Sequence, residues 1–232
     1  MAISPLGGAV NTTTSNVNTL SVNYSPTLGN TVTVAIGTNS EGAAATGVSV
    51  QDNLSNNLTV GPTVTSSGVI YVCSQFYYSV PSGVTSFTAS WTNATSSGGV
   101  TLFVEEYSGV GSVNPAGVSN SGVSAPATIS LVSTVNNSFA VGILYYAIST
   151  NLGALTSGSQ RQVSPNTSKL RSRLADQTAA SSGSTLTLTN TTSGNTNWAS
   201  TAIELLPPIP PSAFSRMGPT PRGFNGIPWQ SK

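Results

Sequence analysis

Apolar and polar residues alternate with a period of two along almost the whole chain. No stretch sustains the 3.6-residue period and end caps of a helix. The first clear strand sets Leu20, Val22 and Tyr24 on one face and ends at Ser25-Pro26; residues 30–36 repeat the pattern with Val32, Val34 and Ile36 inward. Strand patterns follow at 47–52 and 58–60, joined by a polar turn that begins at Asp52-Asn53. Residues 68–78 are apolar on both faces, which predicts a central strand covered on both sides. Residues 84–91 put Thr85, Phe87, Ala89 and Trp91 on one face, and in 99–107 Val100, Leu102 and Val104 alternate with Thr101, Phe103 and Glu105.

Beyond Gly109 the chain reads as a long irregular excursion through Pro115 and Pro126. Residues 128–132 and 138–147 then form a strand pair about the turn at 135–137. A Gly/Ser/Thr loop leads to strands at 169–177, 184–190 and 198–206, the last with Ala199, Thr201, Ile203 and Leu205 on its buried side. The total of about ten to twelve short strands predicts an all-β fold, an antiparallel β-sandwich of jelly-roll or Ig-like type. Its expected span is 18–206, after an N-terminal segment 1–17. No internal repeat at a fixed period is visible, which weighs against a propeller or solenoid.

Residues 207–232 differ in kind. Seven of the chain's 14 prolines fall here, so the segment is expected to be an extended, partly polyproline-II arm. It spaces Phe214, Met217, Phe224, Ile227 and Trp229 along its length, side chains that a solvent linker would lack. Burying each is worth about 1.5–3 kcal/mol, enough together to hold a pre-extended peptide to a groove. The body to residue 206 has six acids and four bases, whereas the arm has Arg216, Arg222 and Lys232 and no acid. These seven positions, Phe214, Arg216, Met217, Arg222, Phe224, Ile227 and Trp229, are the candidate partner contacts of the arm.

Only 6% of residues are charged, against roughly 25% in an ordinary soluble domain. Ser, Thr and Asn therefore carry the surface. The formal charge of +1 gives no basic excess suited to nucleic acid. No apolar run reaches the ~18 residues of a membrane span, and the first residues lack a secretory leader. A protein assembled in a cytoplasm and released by other means is expected. The single cysteine, Cys73, precludes an internal disulfide and reads as a small buried hydrophobe. Eight Asn-x-Ser/Thr sequons follow from the abundance of these residues and carry no assigned glycan.

The chain contains no histidine, which removes His-based triads, His-ligated zinc and imidazole proton shuttles; Cys73 likewise lacks a His partner. Glu105 and Glu106 are adjacent on a strand and must point to opposite faces, so they cannot flank one glycosidic bond. A carboxylate pair could form only through space, from Glu41, Asp52, Asp176 or Glu204. Asp52 among asparagines reads as turn chemistry, because Leu54 stands where a calcium loop needs oxygen. No catalytic residue, cofactor or metal ligand is assigned. Lys169, Arg171 and Arg173 form the one concentrated charge in the body, read as a solvated strand face or as a contact for an acidic partner or anionic glycan. Tyr77, Tyr78 and Tyr146 are core candidates that could otherwise stack on sugars.

Three stretches together carry a resemblance: residues 49–57 (Ser-Val-Gln-Asp-Asn-Leu-Ser-Asn-Asn), residues 103–109 (Phe-Val-Glu-Glu-Tyr-Ser-Gly) and residues 198–205 (Trp-Ala-Ser-Thr-Ala-Ile-Glu-Leu). Over residues 15–206 the chain resembles a β-sandwich domain found in bacteriophage structural proteins and in secreted bacterial surface proteins, with a Glu-Tyr-Ser-Gly turn and a late Trp-Ala strand. The resemblance implies a scaffold for display and assembly and transfers no active-site residue. The expectation is a non-enzymatic virion structural protein, a phage head-decoration, head-fibre or tail-surface subunit. Its partners would be other copies of itself, a major capsid or tail protein, and conceivably a host-surface glycan. A carbohydrate-binding module or adhesin, and an extracellular filament subunit, are the alternatives.

Overall fold

The computed structural model describes residues 2–40, 44–66, 70–95, 99–124, 126–146, 152–164, 171–192 and 197–210. Sixteen strands and no helix occur among them. In chain order they are β1 Ser4–Thr13, β2 Val17–Asn23, β3 Thr31–Ser40, β4 Thr46–Asp52, β5 Thr59–Thr65, β6 Ile70–Ser79, β7 Ser86–Thr95 and β8 Gly99–Ser108. Then come β9 Ser112–Gly122, β10 Ala127–Val132, β11 Phe139–Tyr146, β12 Leu152–Ser157, β13 Ser159–Val163, β14 Arg171–Thr178, β15 Thr185–Thr192 and β16 Trp198–Leu206.

The strands form four antiparallel sheets. The first eight make a five-stranded sheet, β1-β8-β3-β6-β5, and a three-stranded one, β2-β7-β4. The second eight make β9-β16-β11-β14-β13 and β10-β15-β12. Counting from the start of each half, both orders are 1-8-3-6-5 and 2-7-4. The chain is therefore a structural tandem, although its sequence shows no repeat at a fixed period. Single side chains obey it too. Glu106 pairs with Gly7 and Val32 on its neighbouring strands, and Glu204 pairs with Asn114 and Ala140 at the same places. The equivalence escapes sequence inspection because loop lengths differ between the halves. Gly7 matches Asn114 while Glu106 matches Glu204, so no fixed spacing survives.

Each half closes its own core. Val32, Val34 and Ile36 on β3 and Val100, Leu102 and Val104 on β8 meet Val22, Val50, Phe87, Ala89 and Trp91 from the small sheet. In the second half Leu144, Tyr146, Ala202 and Trp198 meet Ile129 and Leu188. A third core lies between the halves: Ala35, Phe103 and Tyr107 of the first large sheet pack on Val141, Ile143, Tyr145, Leu174, Ile203 and Leu205 of the second. The layers thus run small sheet, large sheet, large sheet, small sheet. Both large sheets are covered on both faces, so β8, β11 and β16 are buried along nearly their whole length.

Several expectations change for physical reasons. β16 has no solvent face, because Trp198, Ser200, Ala202 and Glu204 lie under the second small sheet instead of facing water. The irregular excursion after Gly109 is largely β9, an edge strand on β16; the ladder shifts register opposite Pro115, where a bulge absorbs the missing donor. The Gly/Ser/Thr loop contains β12 and β13. Residues 4–13, expected ahead of the domain, are the edge strand β1 on β8. The Cys73 side chain lies outside what the structure describes.

Candidate functional site

At the ends of β8 and β16, equivalent glutamates are held the same way. Glu106 is 3% exposed, and its oxygens accept from the Asn30 amide (2.5 Å), the Tyr24 hydroxyl (2.8 Å) and the Thr27 backbone N–H (3.0 Å). Glu204, fully buried, accepts from the Thr134 backbone N–H (2.7 Å), the Thr134 hydroxyl (2.8 Å) and the Asn114 amide (3.1 Å). Burial alone would raise both pKa values, but the hydrogen bonds together outweigh it and leave both below the ordinary glutamate value. Each carboxylate fastens the loop between the second and third strands of its half. Each accepts three hydrogen bonds from the protein and is held in place by them.

Glu105 points the other way, as its adjacency to Glu106 requires, and reaches the seam between the halves. Gln162 on β13 donates to Glu105 Oε2 (2.6 Å) and to the Val104 carbonyl (2.5 Å). Beside it Asp176 takes a forked pair of bonds from Arg161 (2.5 and 2.7 Å) and one from the Tyr107 hydroxyl (3.1 Å). Burial pushes the Glu105 carboxyl up, partly offset by Gln162 and Arg161. Here is the through-space approach of acids that the sequence left open. Glu105 is 2% exposed and Asp176 1%, so no substrate reaches either unless β1 and β13 part. The cluster ties the two halves together.

Asp52 caps its turn: it accepts from the backbone N–H groups of Leu54 (2.8 Å) and Asn56 (2.9 Å), the Asn56 amide (2.8 Å) and the Tyr78 hydroxyl (3.1 Å). The turn reading of this segment therefore describes its geometry. Tyr146 is fully buried and donates to the Asn190 carbonyl, and Tyr77 and Tyr78 are half-buried against the cores. None presents a ring face suited to a sugar.

The basic stripe is not a solvated face. Arg171 and Arg173 lie opposite Tyr146 and Leu144 on β11, the face covered by the second small sheet, and are 6% and 7% exposed. Arg173 donates to the Asn190 side chain and to the Gly153 carbonyl (3.2 Å), and burial lowers its pKa. The alternation along β14 holds, but its arginine face is covered by β12 and β15, whose polar groups there, Asn190 and the Gly153 carbonyl, give no sign of a lid in the sequence. Lys169 and the seven arm positions lie outside the described residues.

Three loop tips at one end expose apolar side chains to solvent. The β2–β3, β4–β5 and β10–β11 connections all lie at the end where β8 and β16 finish, and they expose Leu28 (66%), Leu54 (46%) and Val135 (37%). Between them the start of β1 and the segment after β16 meet around a cleft of about 880 Å³ lined by Ile3, Val135, Phe139, Leu206 and Pro207–Pro210. No member of the cleft lining is charged, and the described chain ends in it at Pro210, next to Ile209, which is 93% exposed. Set against known protein families and curated proteins, the chain matches none.

Proposed function

We propose that this chain is a non-enzymatic structural subunit of a virus particle, of the phage head-decoration, head-fibre or tail-surface kind, assembled through its C-terminal arm. The observation that carries the reading is this end: exposed apolar loop tips and an uncharged cleft surround the root of a proline-rich segment with five large apolar side chains. The rest of the body supports it. Its described carboxylates serve as internal fasteners, and its surface is Ser, Thr and Asn, suited to close lateral neighbours.

We further infer that each half is a jelly-roll variant. In a jelly roll, strands 1-8-3-6 form one sheet and 2-7-4-5 the other. Here strand 5 has moved across to the edge of the larger sheet beside strand 6. Such a fold suits display, since strand ends collect the loops at two poles. The glycan-binding alternative is weaker, because Arg171, Arg173 and Tyr146, the side chains that would serve it, are enclosed.

Truncation tests the reading. A chain ending at Pro210 keeps every described strand and should fold. Compared by sedimentation with the full chain, alone and with particles of the producing virus, it should be monomeric and fail to incorporate. Assembly equal to that of the full chain would refute the proposal.

A further inference from the structure

We infer that the cleft at the root of the arm is the receptor for the arm of a second copy, with Trp229 or Phe224 seated against Ile3, Val135 and Phe139. The inference rests on the assembly reading above and specifies its contact. The cleft fits an apolar peptide: at about 880 Å³ it exceeds one aromatic side chain, its floor is Ile3 and Phe139, and Asn136, Asn137 and Thr178 on its rim offer groups to an extended backbone. It offers nothing to an ionic ligand.

The occupant follows from where the chain leaves. Pro207–Pro210 form one wall of the cleft, and within it Ile209 is 93% exposed. Ile209 and Pro210 each precede a proline, which favours extended backbone where the arm begins. Residues 211–232 in polyproline-II form would reach about 70 Å at ~3.1 Å per residue, whereas a ten-residue strand of this body spans only about 33 Å. An arm of that reach can carry its distal anchors past the end of its own subunit to a second copy. Root and receptor share one pole, so two copies set pole to pole can exchange arms reciprocally, a closed two-fold arrangement.

The test uses the full chain with a photo-crosslinking amino acid at position 229 or 224, prepared as an equal mixture of isotopically light and heavy copies. Crosslinked peptides should contain Ile3, Val135 or Phe139, and mixed-label pairs should be abundant. Val135→Glu, in an exposed turn where folding is unaffected, should lower their yield about tenfold by placing a charge against the incoming ring. Same-label pairs alone would show the arm docking on its own body and overturn the inference. Crosslinks to another surface in an assembled sample would overturn it while leaving the assembly reading intact. A chain that stays monomeric at all concentrations without inter-copy crosslinks would overturn the inference, and one that in addition fails to join particles of the producing virus would overturn the assembly reading as well.

Discussion

The two equivalent glutamates show how a charge can be structural. Glu106→Ala would strand the Thr27 N–H and the Asn30 amide in a buried site, at a cost of about 1–3 kcal/mol. Glu106→Gln should cost less: its carbonyl oxygen keeps both donors, and the Tyr24 hydroxyl, which also donates to the Gly7 carbonyl (3.0 Å), can accept from the new amide. Chemical denaturation of the two variants should resolve the difference. The acid limb of stability follows from the same group. Its folded pKa lies below the unfolded value near ~4.3, so the unfolded chain takes up the proton first and this stabilisation fades as pH falls below about 5. Glu204 and Asp52, both also held low, add to that loss. Glu105 has the opposite sign. Its pKa is raised, so the folded state holds the proton longer and stability declines as pH rises through its titration. Glu105→Gln should therefore be neutral or stabilising at pH 7, and a pH series of unfolding midpoints for the wild type and both Gln variants separates the two effects. The opposite facing of Glu105 and Glu106 was legible from adjacency alone. Their partners were not, because Tyr24, Asn30, Arg161 and Gln162 come from distant stretches.

Among the elements, edge strands were the hardest to read and matter most for solubility. β1 contains Gly7 and Gly8, and β9 contains Pro115, residues that weaken a strand pattern while serving an edge well. Gly8 is required for another reason: a Cβ there would meet the Val104 carbonyl at 1.8 Å. Central strands were easy to recognise, since β6 and β11 are apolar on both faces. β16 misled because alanine, serine and Glu204 on its second face do not look like core until a second small sheet is known to cover them. Removing residues 2–13 should uncover the β8 ladder and its buried side chains. The shortened chain is expected to aggregate at concentrations where the full body is soluble, as light scattering would record. At Gly37, on β3, a Cβ would collide with the Tyr145 ring at 1.8 Å. Gly37→Ala should thus cost about 1–3 kcal/mol through overpacking at the seam, lowering the midpoint of thermal unfolding by several degrees.

At the scale of the whole molecule, the seam decides whether there are one or two folding units. The all-β class and strand-rich layout were evident from alternation, whereas the tandem was hidden by drifting loop lengths and by dissimilar residues at matching positions, such as Gly37 and Tyr145. Phe103, Tyr107, Ile143 and Leu174 are fully buried only because the large sheets face one another, with Gln75 donating across to the Val141 carbonyl (3.1 Å). Separated halves would expose this surface, so residues 1–108 made alone should self-associate or fail to fold, and the intact chain should unfold in one calorimetric transition. Because both halves point the same way, the molecule has a head and a foot. The N-terminus and the departing C-terminal segment share the foot, around Ile3 and Pro208. On the proposal that copies join at the foot, a foreign epitope fused ahead of β1 would emerge at that join, whereas one spliced between β7 and β8 would emerge at the opposite pole, clear of it and open to an antibody.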